Sequence, residues 1–366
     1  MKLDLSHQGL QELPSDFFQQ YKDLEELNLA HNNLIALPPE IGQLHNLQKL
    51  DLSDTNLTAI PPEIGQLQNL RYLNLAGDHY SELGNELEVL PPEIGQLQNL
   101  EKLILSANFF EALPSEIGQL KNLQLLDLSE NRLIALPTEI GQLSNLQHLY
   151  LVENDITTLT SDIFSQLKDL HSLYLSGNPL TTFPSVIGQL KNLQELDMSR
   201  NGLTALPSEI GQLINLKFLH IGSNQLRVLP AEIGQLKSLQ VLYLWNNFFT
   251  SLPSEIGQLV NLENLNIGCN QLVLLPSEIG QLINLKRLNA DRNKLTALTP
   301  AIGKLKELQE LDLWQNQLTE LPPEIGQLQN LQYLNIMNNQ LTGILPTKLE
   351  RKFSKKQSHS RFISTR

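Results

Sequence analysis

The sequence predicts an α/β solenoid of about 15 short turns, and three observations predict it. The first is a period. The leading leucine of the segment LxxLxLxxNxL returns every 23 residues at Leu100, Leu123 and Leu146, and again from Leu193 through Leu216 and Leu239 to Leu331. The second is the content of that segment, in which leucines alternate over a strand-length run and an asparagine follows. The third is the other half of each period, a nearly constant LPSEIGQLKNL that reads as a short helical return. A unit this small cannot bury an apolar face alone, so successive units stack and share one continuous core.

In the turn Leu123–Ser129, Leu126 and Leu128 are two apart and face one side of a strand. Leu125, Asp127 and Ser129 face the other. Asn131 follows three residues later. An amide side chain offers two donors and two acceptor sites, which suits the point where a strand ends and buried backbone groups need partners. This combination marks a leucine-rich repeat solenoid. The same place holds Asn32, Asn108 and one asparagine in each later turn as far as Asn339. Gln8 and Thr55 interrupt the ladder near the start. In the return half, Pro114 ends the extended segment. Ser115 with Glu116 reads as a helix start with a carboxylate in the first turn. Ile117 and Leu120, three apart, share the core-facing side, and the length fits one or two turns of α or 3₁₀ helix.

Three stretches depart from the period. PSDFFQQYKDL near the start and TSDIFSQLKDL at 160–170 each lengthen their step to 24 residues, and they resemble each other more than their neighbours. Between Leu75 and Asn85 lie seven extra residues, an insertion near 78–85 that carries Asp78, His79, Tyr80 and Glu82. Such an insertion maps to a surface loop, either tolerated or partner-contacting. The repeat array is read as one domain over residues 1–346. Residues 347–366 form a basic tail, in which Leu349 and Phe353 are spaced for one short amphipathic helix capping the last turn and the remainder is expected to lack order.

Composition excludes several classes. The formal charge is −13; the tail holds seven Lys/Arg and one Glu, about +6, which leaves about −19 for the rest. Nucleic-acid binding requires a basic footprint, and this array is acidic. The single cysteine, Cys269, permits no internal disulfide, and it reads as a small residue at a strand end. No run reaches the roughly 18 apolar residues of a membrane-spanning helix, and no leader peptide is visible at Met1–Leu5. There is no glycine-rich phosphate loop and no catalytic domain, so the chain is not expected to be an enzyme or to need a cofactor. For metal binding, His148 with His171 and His31 with Asp54 supply only two ligands at either place, fewer than zinc requires.

The repeats LPPEIGQLQNLRYLNLAG and LPSEIGQLVNLENLNIGCNQL resemble the 23-residue leucine-rich repeats of leptospiral (spirochaete) proteins, and are similar to the Ras-group repeats of plants and animals. The resemblance covers residues 3 to about 346, with the IGQL element unchanged in eleven turns. It implies a right-handed superhelix, a concave parallel sheet, convex 3₁₀ or helical segments and a protein-binding role. For the leptospiral relatives it further implies export and contact with host proteins. It carries no catalytic residues.

The strand residue between the two inward leucines points onto the open face of the sheet. Successive turns place there Asp127, Tyr150, Tyr174, Asp197, His220, Tyr243 and Asn266, with Asn or Asp toward both ends of the array. With Phe218 and Trp245 beside them, and strands about 4.8 Å apart, Phe218, His220, Tyr243 and Trp245 are expected to form one exposed aromatic cluster. Tyr150 and Tyr174 are expected to form a second, and Trp314 stands alone further on. Exposed aromatics in a groove are the usual material of a binding hot spot, although aromatics also stack along sheets for stability alone. Phe109 and Phe248 are expected to pack at the edge and Phe110 and Phe249 in the core. The repeated glutamates, Glu116 among them, are assigned to helix starts. The function expected is therefore a monomeric protein-recognition scaffold, secreted or on a bacterial surface and contacting a host protein. An intracellular signalling scaffold and a self-associating structural protein stay open beside it.

Overall fold

The computed structural model of the chain describes residues 1–14, 16–78 and 84–342. His79, Tyr80 and Glu82 of the insertion, and the whole tail from 343 onward, lie outside the described residues. The chain divides into two compact units, Met1–Leu180 and Thr181–Arg366.

In the first unit the strands are β1 (Lys2–Asp4), β2 (Glu26–Asn28), β3 (Lys49–Asp51), β4 (Tyr72–Asn74), β5 (Lys102–Ile104), β6 (Leu125–Asp127), β7 (His148–Tyr150) and β8 (Ser172–Tyr174). Within this unit consecutive strands pair in parallel, from β1 with β2 to β7 with β8. The second unit repeats the scheme with β9 (Glu195–Asp197), β10 (Phe218–His220), β11 (Val241–Tyr243), β12 (Asn264–Asn266), β13 (Arg287–Asn289), β14 (Glu310–Asp312) and β15 (Tyr333–Asn335). The register follows the repeat: Leu103, Leu126 and Leu149 lie side by side, as do Leu219, Leu242 and Leu265. These leucines are fully or almost fully buried, and each contributes about 1.5–3 kcal/mol of apolar burial.

The returns are five-residue 3₁₀ helices such as Ser115–Gln119 and Ser254–Gln258. Their isoleucines and following leucines, Ile117 with Leu120 and Ile256 with Leu259, fill the core. Ser115 does not cap the helix. The residue ahead of the helix is the extended Pro114, and the Ser115 hydroxyl donates to the Glu116 carboxylate at 3.1 Å. Pro114 itself stands at the cap position and its ring carries no acceptor, whereas Thr299, at the same position with the same backbone, does cap its helix by accepting from the Ala301 amide. The glycine of each IGQL is dictated by stacking: a Cβ on Gly118 would stand 2.5 Å from the carbonyl oxygen of Glu139 in the next turn.

The two 24-residue steps are the two α-helical returns, α1 (Phe17–Gln20) and α2 (Ser161–Phe164). An α turn uses 3.6 residues where a 3₁₀ turn uses 3. The additional residue is absorbed there, and Phe18 and Phe164 occupy the place of the glycine, fully buried.

Two asparagine ladders tie turns together. In the first, Asn131 donates to the carbonyls of Leu105, Leu128 and Ser129 and accepts from the Phe110 amide. Asn85 belongs to this ladder although it lies past the insertion, donating to Leu52, Leu75 and Ala76. Thr55 is no gap either: its hydroxyl lies 2.8 Å from the Leu52 carbonyl and 2.9 Å from Asn85 Oδ1, and its single proton is shared between these two acceptors. The second ladder is built by the asparagine of QLxNL, with Asn122 reaching back to the Gln98 carbonyl and Asn261 to that of Lys237, both at 2.8 Å. Apart from Gly84 ahead of Asn85, the residue just before a ladder asparagine is left-handed whatever its identity, including Ala107 (φ 54°), Glu130 (φ 55°) and Arg200 (φ 51°). That geometry costs about 1–2 kcal/mol per side chain, and it turns the next asparagine inward.

Candidate functional site

On the solvent side of β10 and β11, the repeat places Phe218 beside Val241 and His220 beside Tyr243. Trp245 follows Tyr243 on the same side, where the preceding turn has Gly222. The four expected residues come together. Phe218 meets Tyr243 edge-on with ring centroids 5.8 Å apart, His220 meets Tyr243 at 5.5 Å, and His220 and Trp245 lie at 5.9 Å. All four are half-buried rather than exposed, because at this spacing each ring covers part of its neighbour.

A polar chain runs through the cluster that the sequence reading did not contain. An indole N–H only donates, so the 3.0 Å contact of Trp245 Nε1 with His220 Nε2 makes Nε2 the acceptor. The ring proton is then on Nδ1, which donates to Asp197 Oδ2 at 3.3 Å. Burial pushes the Asp197 carboxyl upward, but hydrogen bonds from His220 and Ser199 outweigh it and hold the group below its ordinary value. The signal for this chain was present in the register: a Cβ on Gly222 would fall 2.7 Å from Trp245 Nε1. The glycine leaves the space through which the indole reaches His220.

Next to the cluster, Tyr243 forms one wall of an open cavity of about 210 Å³ over β12 to β15. Its floor is short-chained, with Asn264, Asn266 and Asn289, and its far side holds Glu310, Asp312 and Tyr333. The cavity exists because asparagines on β12 and β13 lie between tyrosines on β11 and β15. Arg287 and Glu310 pair at 3.3 Å across its rim. Asp312 accepts from the Trp314 amide at 2.9 Å and from Asn335 at 3.3 Å. Asn264 Oδ1 is buried and has no hydrogen-bond partner.

The other candidates separate. In the first unit Tyr150 and Tyr174 form a pair with centroids 5.3 Å apart, and His148 stacks on Tyr150 at 6.4 Å. Trp314 is not alone, because the Arg292 guanidinium lies 4.7 Å from its ring centre. Phe109 lies under Arg132 at 4.2 Å and lines, with Val89 and Leu113, a hollow of about 520 Å³ on the flank of the first unit. Phe110 and Phe249 are core residues.

His148 and His171 lie 6.4 Å apart, and His148 Nδ1 is engaged by the Ser172 hydroxyl at 3.1 Å. His31 pairs with Asp54 at 3.2 Å. Among the described residues no three His, Cys, Asp or Glu side chains are placed to share a metal ion. Among those residues also, no helix is long and apolar enough to cross a membrane.

A family model described as a leucine-rich repeat region matches residues 2–105, 63–174, 118–205, 162–247, 205–294, 242–315 and 277–351. A comparison with the curated proteins finds no match. Among solved structures, a leucine-rich repeat protein of Leptospira interrogans is 43% identical over 98% of this chain and 94% of its own, with a TM-score of 0.82. The ectodomain of the Arabidopsis thaliana membrane receptor kinase GASSHO1/SCHENGEN3, solved in complex with Casparian strip integrity factor 2, is 30% identical over 93% of this chain and 47% of its own, with a TM-score of 0.59. An internalin of Listeria monocytogenes shares the fold at 22% identity, covering 87% of this chain and 88% of its own, with a TM-score of 0.73.

Proposed function

Because the chain belongs to the leucine-rich repeat family, we propose that it is a non-enzymatic recognition scaffold whose open sheet face binds a protein. The family is generally one of interaction scaffolds, and no arrangement of residues described above suggests chemistry. The observation that carries the reading is the cluster of Phe218, His220, Tyr243 and Trp245. Half-buried aromatic rings held by one another present contact area at low entropic cost, which is what a binding hot spot requires. The receptor ectodomain solved with its protein factor supports the use of such a fold for recognition. Tyr150 with Tyr174 in the first unit and Trp314 in the second are proposed as further contact points.

The partner proposed is a host protein met by a secreted or surface-exposed bacterial protein, in line with the similarity to the Leptospira interrogans chain. The test is affinity capture by the whole protein from host cell-surface and matrix extracts and from bacterial lysate. A folded variant carrying Phe218→Ala, Tyr243→Ser and Trp245→Ser is run in parallel. Capture of a host protein by the parent and its loss by the variant supports both parts of the reading. Capture that the variant retains removes the aromatic cluster from it. Retention of bacterial proteins alone removes the host.

A further inference from the structure

We propose that the segment bound by this face is extended and arginine-bearing, with an apolar side chain on the Phe218–Trp245 cluster and a guanidinium in the adjoining cavity between Tyr243 and Tyr333. The inference rests on the binding reading above and adds the chemistry of the partner to it.

The two subsites share Tyr243, so they form one continuous surface within the second unit. The cavity has the composition a guanidinium seeks. Its only lining cation, Arg287, is already paired with Glu310 at the rim, and Asp312 has no ion-pair partner among the described residues. Asp312 accepts from the Trp314 amide, from Asn335 and from the Tyr333 hydroxyl, which leaves a carboxylate with roughly four acceptor sites room for one more. Asn264 Oδ1 is a buried acceptor with no donor, and leaving such a group unpaired is unfavourable. Tyr243 and Tyr333 line the cavity, and aromatic rings attract a planar cation. A guanidinium, with five donors in a flat fork, answers these acceptors better than a point-like ammonium. Tyr333 is itself pushed up by burial and by the charge of Asp312, which agrees with a negative field there. The residues outside the basic tail carry about −19, which favours a cationic partner.

The spacing follows from the sheet. From β11, which carries Tyr243, to β13 is two strand separations, roughly 10 Å. A chain crossing the strands at about 3.3 Å per residue covers that distance in about three residues, and an arginine side chain reaches onward to Asp312 on β14. The expected pattern is an apolar residue followed three positions later by arginine.

The experiment is selection of displayed random decapeptides on the immobilised full chain. Synthetic versions of the winners are then titrated with arginine or its neutral isostere citrulline. The expected result is enrichment of the apolar-x-x-arginine pattern and about tenfold weaker binding of the citrulline peptide. The same loss is expected for the arginine peptide on Asp312→Asn, which keeps the side chain's shape and its acceptor for the Trp314 amide. Peptides that depend on Tyr243 and Trp245 but enrich no arginine, or bind equally as citrulline, overturn the inference and leave the binding reading standing. Peptides indifferent to Tyr243→Ser and Trp245→Ser, or no selected peptide at all, overturn both.

Discussion

The indole N–H of Trp245 donates to His220 Nε2 at 3.0 Å, and a residue that takes no part in the bond permits it. Gly222 occupies in its turn the place that Trp245 occupies in the next, and a Cβ there would enter the space of the indole. Gly222→Ala is therefore expected to displace Trp245 from His220 while the fold survives. In a Trp314→Phe background Trp245 is the one tryptophan, since the chain has two, and excitation at the red edge of the band selects it over the tyrosines. Its emission should move to longer wavelength in the alanine variant. An unchanged spectrum would show that the ring does not depend on the gap.

The ladder asparagines should be among the costliest polar residues to lose. Asn247 donates to the carbonyls of Ile221, Leu244 and Trp245 and accepts from the Leu226 amide. Replacement by alanine strands several buried backbone groups, each worth about 1–3 kcal/mol when unsatisfied. A loss of about 3 kcal/mol or more in chemical denaturation is expected for Asn247→Ala. Thr55→Val, which removes one hydroxyl donor, should cost about 1–2 kcal/mol. Equal losses would mean that the side-chain amide is not what joins the turns.

Gly118→Ala tests the close approach of successive 3₁₀ returns. The added methyl meets a backbone carbonyl that cannot rotate away, so overpacking of about 1–3 kcal/mol is expected. This opposes the usual helix-favouring effect of alanine, which is worth up to about 1 kcal/mol. A thermal melt that rises in this variant would contradict the packing.

Asp291 and Asp197 should respond to acid in opposite ways. Burial chiefly, and then Asp312, raise the folded Asp291 above its ordinary value of 3.8. A raised carboxylate favours the folded state while protonated, and that stability is lost as pH climbs from the unfolded value through the folded one. Asp291→Asn is thus expected to raise the melting temperature at pH 7 by about a degree, a gain that shrinks as pH falls toward 3.8. Asp197 is held below its ordinary value because its hydrogen bonds to His220 and Ser199 outweigh burial. Its contribution is present above the unfolded value and lost only as pH falls through the lower folded one. Asp197→Asn should therefore destabilise at pH 5 as well as at pH 7. Melts at pH 7, 5 and 4 separate the two behaviours.

The 23-residue period by itself determined the strand, the return and the ladder asparagine. The reason is that each of these roles is local: two-residue alternation sets the inward leucines, and an amide at a strand end has one use. Stacking determined the rest. Asn85 is displaced from its turn by an insertion, so only its bonds to Leu52 and Leu75 identify it as a ladder residue. The two longer steps were legible as irregular, but their α geometry came from Phe18 and Phe164 needing the core where neighbours keep a glycine. The aromatic cluster was legible because strand register makes residues 23 apart neighbours. Which of those side chains bond, and how far they bury one another, was decided in three dimensions. Gly222 yields space to Trp245, and Trp245 and Asp197 together set the orientation of His220.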